Sequence, residues 1–420
     1  TKTPYRGHDY VSSMQRCSEA ADLMTARMFA CTIPRVLRVL HVISSLSSAG
    51  GGTTAAVVGM ARAQAQADLR VSVIATFGDG HPPDSASQLR ENGVNVILVG
   101  PFQGKLRTHP ELIPSLDRAI SDADVVHIHA LWEEIQHRAA RIAGSRGVPY
   151  IVTPHGMLDD WSLAQKRLKK TIYLLWRGNR NLRAASALHL TSRAERDNVA
   201  RLNLNSTTIV EPLGIELSEF ESLPGRGTFR SRHAKIADRK LVAFLGRVHP
   251  GKGLELLVPA MARSKVRDAV LLIIGPDSGG FRASVEAMVA AHGLSDRVIF
   301  TGMLVGADRV AALADADLFA LPSFHENFGV AVIEALACGV AVVISDQVNI
   351  QQEIRDAGLG GVVPTRVDDV ARELDRWLSD DVLRRGAASR AREFVWKNYD
   401  WRMIASHWAG HYARLAGKVA

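Results

Sequence analysis

Four groups of residues in this chain bring together side chains able to hold a charged or hydroxyl-rich ligand. Arg247 and Lys252 stand in the run Phe244-Leu245-Gly246-Arg247-Val248-His249-Pro250-Gly251-Lys252-Gly253. A guanidinium is a planar fork and an ammonium a point charge, so the two together can neutralise a diphosphate. Glu326 and Glu334 stand in Pro322-Ser323-Phe324-His325-Glu326-Asn327-Phe328-Gly329-Val330-Ala331-Val332-Ile333-Glu334-Ala335. A carboxylate between Ile333 and Ala335 costs free energy unless it meets a polar partner. A pair of sugar or ribose hydroxyls would serve, and so would an arginine from elsewhere in the fold. Gly50-Gly51-Gly52-Thr53-Thr54 opens a helical stretch. Glycines there let backbone approach a ligand closely, and the free N–H groups of a helix start attract anions. The same run also fits a plain strand-to-helix turn. His155 lies in Thr153-Pro154-His155-Gly156-Met157, just past another β-branched run.

These groups need a frame that sets them at the ends of strands. From residue 36 the chain alternates short apolar, β-branched runs with longer helical stretches. Strands are expected at Val36–Ile43, Val71–Phe77, Val94–Val99, Val125–His129, Tyr150–Thr153, Ala187–Thr191 and Thr208–Val210. After a Pro-, Gly- and acid-rich stretch over 212–238 the alternation restarts at Leu241–Leu245, Val270–Ile274, Val298–Phe300, Leu318–Leu321 and Val340–Ile344. Strands alternating with helices imply right-handed crossovers and parallel sheets. The expected class is α/β, with two doubly wound Rossmann-like domains facing across a cleft. Ligands of such sheets sit beyond the carboxyl ends of the strands, where Arg247, Lys252, His155 and the two glutamates all fall. The expected division is a tail over 1–33, a first domain over 34–213, a linker over 214–238 and a second domain over 239–395. A C-terminal helix over 396–420 completes the first domain.

Bulk properties narrow the classes. The chain has 420 residues, 47% of them hydrophobic and 22% charged, an ordinary globular composition. Net charge is +8, which suits an anionic partner. No helix-turn-helix or RNA-binding signature is present, so nucleic acid is not an expected partner. Cys17, Cys31 and Cys338 are too far apart for a disulfide framework or a zinc site, and fit a reducing, cytoplasmic setting. Met14, Met24 and Met28 are each candidate start sites, so the tail is expected to be loosely attached. Residues 161–183 (WSLAQKRLKKTIYLLWRGNRNLR) are basic and amphipathic. Such a segment suits a membrane surface or anionic lipid, and equally an ordinary solvated helix.

The glutamates, with seven residues between them, together with Gly246-Arg247 and Lys252-Gly253 and the Gly51-Gly52 loop, resemble glycosyltransferase family 4. This is a large retaining family of the GT-B fold that builds bacterial polysaccharides. The resemblance covers roughly residues 36 to 415. It implies that Arg247 and Lys252 hold the donor diphosphate and stabilise it as it leaves. It implies that Glu326 and His155 touch the donor sugar, with the N–H groups of Asn327, Phe328 and Gly329. Glu334 would bind the nucleotide ribose, and Gly51 and Gly52 would approach donor phosphate and sugar. The donor would be a nucleotide-diphosphate sugar. The acceptor would be a glycan or a polyprenyl-diphosphate-linked glycan in surface polysaccharide or lipopolysaccharide assembly, met at the inner face of the plasma membrane. No cofactor and no metal is expected, since Asp315-Ala316-Asp317 reads as a helix end, not a metal motif. No carboxylate nucleophile stands out, which favours a front-face reaction with retention. A non-catalytic nucleotide-sugar-binding subunit is the alternative.

Overall fold

A computed structural model of the chain describes residues 36–47, 51–78, 82–102, 108–204 and 207–418. The tail expected over 1–33 lies outside the described residues. Beyond it the chain forms two parallel sheets with helices packed against them. The first has seven strands: β1 (Arg38–Ile43), β2 (Arg70–Thr76), β3 (Asn95–Val99), β4 (Val125–His129), β5 (Tyr150–Thr153), β6 (Ala187–Leu190) and β7 (Thr208–Val210). Their order is β3-β2-β1-β4-β5-β6-β7. The second has six: β8 (Leu241–Leu245), β9 (Val270–Ile274), β10 (Val298–Gly302), β11 (Leu318–Leu321), β12 (Val342–Ser345) and β13 (Gly360–Val363). Their order is β10-β9-β8-β11-β12-β13.

Both sheets are covered on both faces, which is why their strands read as nearly unbroken apolar runs. Every residue of β9 and β11 is buried. The chain order reverses between β1 and β4 and again between β8 and β11. Such switch points leave a crevice above the strand ends, and the two crevices face each other.

Three departures from the sequence reading have local causes. The last strand, β13, was not foreseen because it opens with Gly360-Gly361, which carries little strand propensity. The backbone there is crowded: a Cβ on Gly361 would lie 2.8 Å from the Glu373 carboxyl carbon. The stretch over 214–238 is not a loose tether. It holds short 3-10 turns at Leu217–Phe220 and Arg230–Arg232, and Phe220, Phe229 and Ile236 are buried. Asp315, at the end of helix Gly306–Ala314, fastens it by accepting the N–H groups of Gly227 (2.6 Å), Phe229 (2.7 Å) and Arg230 (2.9 Å). The acidic pair Asp315/Asp317 is thus structural. The aromatic C-terminal stretch is two helices, Asp381–Asn398 and Trp401–Leu415. Asp400 breaks it by capping the second, its carboxylate accepting the Arg402 N–H at 2.9 Å.

Helix Trp401–Leu415 packs on helix Gly52–Gln66 of the first sheet, bringing Trp408 and Tyr412 into the first core fully buried. Each such aromatic contributes a few kcal/mol through burial alone. Trp401 wedges against Gly59 of helix Gly52–Gln66 and against Gly214, where an added Cβ would stand 2.6 Å from the indole.

Candidate active site

The cleft between the sheets holds a cavity of about 570 Å³. Its walls include Gly51, Gly52, Thr53, His155 and Trp161 from the first half, and Arg247, His249, Lys252, Arg309, Glu326, Asn327, Phe328, Gly329 and Glu334 from the second. Every site residue singled out in the sequence therefore lies on one surface.

Local chain geometry explains the placement. Gly51 has φ 65° and precedes helix Gly52–Gln66, and a Cβ on it would sit 3.8 Å from the Arg247 Nε. The glycine loop of one half thus reaches the guanidinium of the other. Arg247 follows β8 and is exposed; among the described residues its guanidinium has no hydrogen bond or ion pair. Gly253 has φ 80° and starts the next helix with its Cα against the Pro322 carbonyl, so a side chain there would collide with backbone. That contact ties the Lys252 loop to the end of β11. Lys252 forms an ion pair with Glu326, both side chains being about one-fifth exposed.

Helix Val330–Ala337 starts after Gly329, whose φ of 82° is outside the helical region. Glu334 is therefore little more than one turn into the helix. Its carboxylate lies 3.4 Å from Arg309 of helix Gly306–Ala314, which also pairs with Glu219. Of the partners open to Glu334 in the sequence, an arginine is present, and the cavity leaves room for hydroxyls besides. Burial pushes Glu334 up to about 7, the Arg309 charge opposing this only in part. Phe328 lines the cavity, and its residue is buried with the ring edge-on to Tyr399 at 5.7 Å.

His155 adopts a left-handed backbone (φ 52°), followed by Gly156 at φ 74°. The buried Glu195 holds this turn by accepting the Gly156 N–H at 2.7 Å and the Thr191 N–H and O–H at 2.7 and 2.9 Å. Thr191 in turn accepts the Asn327 amide at 3.1 Å. Gly156 is pressed against Asn327, 2.7 Å from where a Cβ would stand. Trp161 stacks on His325 (5.0 Å, 12°), and Asn349 donates to Asp159 at 3.3 Å. So Glu195, Asp159, Trp161 and Arg309 belong to the site or its frame, though sequence reasoning assigned none of them there. Only Trp161 carried a signal, as part of the amphipathic segment.

His127 and His129, left unassigned in the sequence, lie in the buried strand β4. They join His41, His155 and His189 in one cluster of rings under the cleft. Nitrogens of His41, His127 and His129 come within 4.8 Å of one another, as metal ligands can. Yet His127 meets Tyr412 and Thr153 at 2.7 Å each, and His41 meets Gln64 and His129 at 2.8 and 2.9 Å. Their hydrogen-bonding capacity is spent within the protein.

An arginine, a lysine, two glutamates, a histidine and a glycine loop thus meet across a cleft between Rossmann-like sheets. Residues 225–394 match the family model described as glycosyl transferases group 1, and residues 51–212 match the glycosyl transferase 4-like domain. The chain belongs to this family of glycosyltransferases. It is 29% identical over 408 residues to a D-inositol 3-phosphate glycosyltransferase of Salinispora tropica, covering 87% of this chain and 83% of that one. It is 30% identical over 219 residues to a phosphatidyl-myo-inositol mannosyltransferase of Mycolicibacterium smegmatis, about half of each chain. The fold is similar to that of Anabaena HepE in complex with UDP and glucose, with TM-score 0.73 and 20% identity over 90% of this glycosyltransferase and all of the other.

Proposed function

We propose that this glycosyltransferase moves a sugar, with retention at the anomeric carbon, from a nucleoside diphosphate sugar to an acceptor hydroxyl in the cleft. The observation that carries the reading is the convergence of Arg247, Lys252, Glu326, Glu334, His155 and Gly51 on one cavity. Arg247 and Lys252 stabilise the diphosphate as the bond to the sugar breaks, and the preorganised cations cost no reorganisation at that moment. Glu334 takes ribose hydroxyls, and Glu326, His155 and the turn at Asn327–Gly329 take the sugar. The carboxylates on the cavity wall are Glu326, engaged by Lys252, and Glu334, engaged by Arg309. Neither is a free nucleophile, which supports a front-face path: the acceptor oxygen bonds to the anomeric carbon while its proton passes to the departing diphosphate. This path needs no metal.

The acceptor is read as a phosphate-bearing, lipid-linked glycan of surface polysaccharide assembly. Leu168, Leu175 and Trp176 are 75%, 70% and 84% exposed beside Lys166, Arg167, Lys169 and Arg180. Apolar side chains ringed by cations suit an anionic bilayer surface, the setting of a peripheral enzyme. No helix among the described residues is long and apolar enough to cross a membrane. A soluble inositol phosphate is the second reading, favoured by the name of the Salinispora relative.

The test is thermal stabilisation by UDP-, GDP-, ADP- and CMP-sugars, repeated with Arg247→Ala and Lys252→Ala, followed by product analysis with lipid-linked and inositol phosphate acceptors. A donor that stabilises the wild type but neither variant, with an α-to-α or β-to-β product, supports the proposal. Stabilisation by a donor with neither transfer to an acceptor nor donor hydrolysis would favour the non-catalytic binding subunit, and no stabilisation by any donor at millimolar concentration would overturn the proposal.

A further inference from the structure

Beneath the cleft runs a continuous chain of hydrogen bonds whose direction is set at one end. The backbone carbonyl of Glu211 meets His189 Nε2 at 2.8 Å. A carbonyl only accepts, so this nitrogen carries the proton. His189 Nδ1 must then accept, and it faces Thr153 Oγ1 at 2.8 Å. The Thr153 oxygen, having donated, accepts from His127 Nε2 at 2.7 Å. His127 Nδ1 accepts from the Tyr412 hydroxyl at 2.7 Å, and the Tyr412 oxygen accepts from the Gln64 amide at 3.1 Å. That settles the amide orientation, leaving Gln64 Oε1 to accept from His41 Nε2 at 2.8 Å. His41 Nδ1 accepts from His129 Nε2 at 2.9 Å. His129 Nδ1 accepts from His155 Nε2 at 3.2 Å. What remains at the open end is His155 Nδ1, a bare lone pair on the cavity wall.

The argument needs each imidazole to be neutral, with one proton and one lone pair. Burial provides this. His41, His127, His129 and His189 are fully buried. Desolvation holds His41 and His189 at about 4 and His155 at about 3, and it drives His127 and His129 well below the ordinary histidine value, with neighbouring imidazoles adding to the effect. Reversing the chain would set an unprotonated His189 nitrogen against the Glu211 carbonyl, a buried acceptor facing an acceptor.

We propose that Gln64 and Tyr412, through this one-directional chain, are positioning residues that fix His155 as a hydrogen-bond acceptor toward the cleft. A lone pair there receives a hydroxyl proton from a sugar and gains nothing from a diphosphate oxygen, so it sorts the sugar end of a donor from its phosphate end. The functional half of this statement rests on the sugar-transfer reading; the tautomer half does not.

Long-range proton–nitrogen correlation spectra of histidine-labelled protein at pH 8 test it without ligand. In the wild type His155 is expected to favour the Nε2 proton by about tenfold or more, equal to about 1.4 kcal/mol. In Tyr412→Phe the ratio falls to that shown in the same spectrum by the exposed His292. Trp408→Phe touches the same rings without being a link, and it leaves the wild-type ratio. In the same variants, Tyr412→Phe weakens binding of UDP-glucose by about threefold to tenfold, the size of one hydrogen bond, and leaves binding of UDP within about twofold. A proton on Nδ1 of wild-type His155, or a Tyr412→Phe ratio equal to the wild type, overturns the proposal. Should Tyr412→Phe not fold, Gln64→Leu breaks the chain at the next link and is read in the same way. A proper tautomer response with no binding of any UDP-, GDP-, ADP- or CMP-sugar to any form would instead sink the transferase reading and leave the chain standing.

Discussion

Acidification should unfold this protein unusually early, and the burial of its histidines sets the size of the effect. His41, His127, His129 and His189 are fully buried, and with His155 they are held neutral. Once unfolded these five titrate near 6.5. Below that pH the unfolded chain takes up five protons that the native state refuses, so stability falls as pH falls. Two carboxyls act the other way. Burial pushes Glu195 and Glu334 up to about 7 each, so the native state keeps protons that the unfolded chain gives up above about 4.5. Their contribution is full at low pH and is lost as pH rises toward 7. At pH 5.5 ordinary carboxylates are ionised in both states, and the balance is about three protons taken up on unfolding. That slope is about 4 kcal/mol per pH unit, against a total stability of roughly 5–15 kcal/mol. Between pH 6.5 and 5 the loss is about 5 kcal/mol. The assay is urea unfolding followed by circular dichroism at pH 7, 6 and 5, with proton uptake on unfolding measured directly at pH 5.5. A flat urea midpoint across this range, or no proton uptake at pH 5.5, would refute the reasoning.

Other perturbations separate the roles assigned above. Lys252→Ala, part-buried beside Glu326, should lower kcat/KM about 10²–10³-fold, while the exposed Arg247→Ala costs nearer tenfold; equal, small effects in steady-state kinetics would argue against a diphosphate site. Gly156→Ala places a Cβ 2.7 Å from Asn327 at φ 74°. It should cost at least about 1–2 kcal/mol and lower Tm by several degrees in calorimetry. Leu175→Glu with Trp176→Glu should abolish sedimentation with anionic vesicles while leaving Tm within about a degree; retained vesicle binding would remove the membrane reading.

Much of the frame could be read from the chain because both sheets are buried on two faces and their strands announce themselves as apolar runs. The site followed, since Arg247, Lys252, Glu326 and His155 each come directly after such a run. What escaped depended on contacts between distant segments. Arg309 meets Glu334 only through the packing of two neighbouring helices, and nothing within its own helix marks it. The histidine cluster needed the strand order: His41 pairs in register with His127 because β1 and β4 are neighbours across the switch point. Within Val125–His129 alone, two histidines two residues apart say only that both share a face of the strand. β13 stayed hidden because its glycines are chosen for close approach, not for strand propensity.

The wedge of Trp401 between Gly59 and Gly214 has a consequence for how this protein is made. Trp408 and Tyr412, which fill the core of the first sheet, are synthesised after the whole of the second. On the ribosome the first half emerges with its aromatic filling and the middle of its hydrogen-bonded chain missing. At about 5–20 residues per second, it waits ten seconds or more for them. The second half, whose six strands need nothing from the first, can close while it waits. Folding order along the nascent chain is thereby inverted: the half made first is the half finished last.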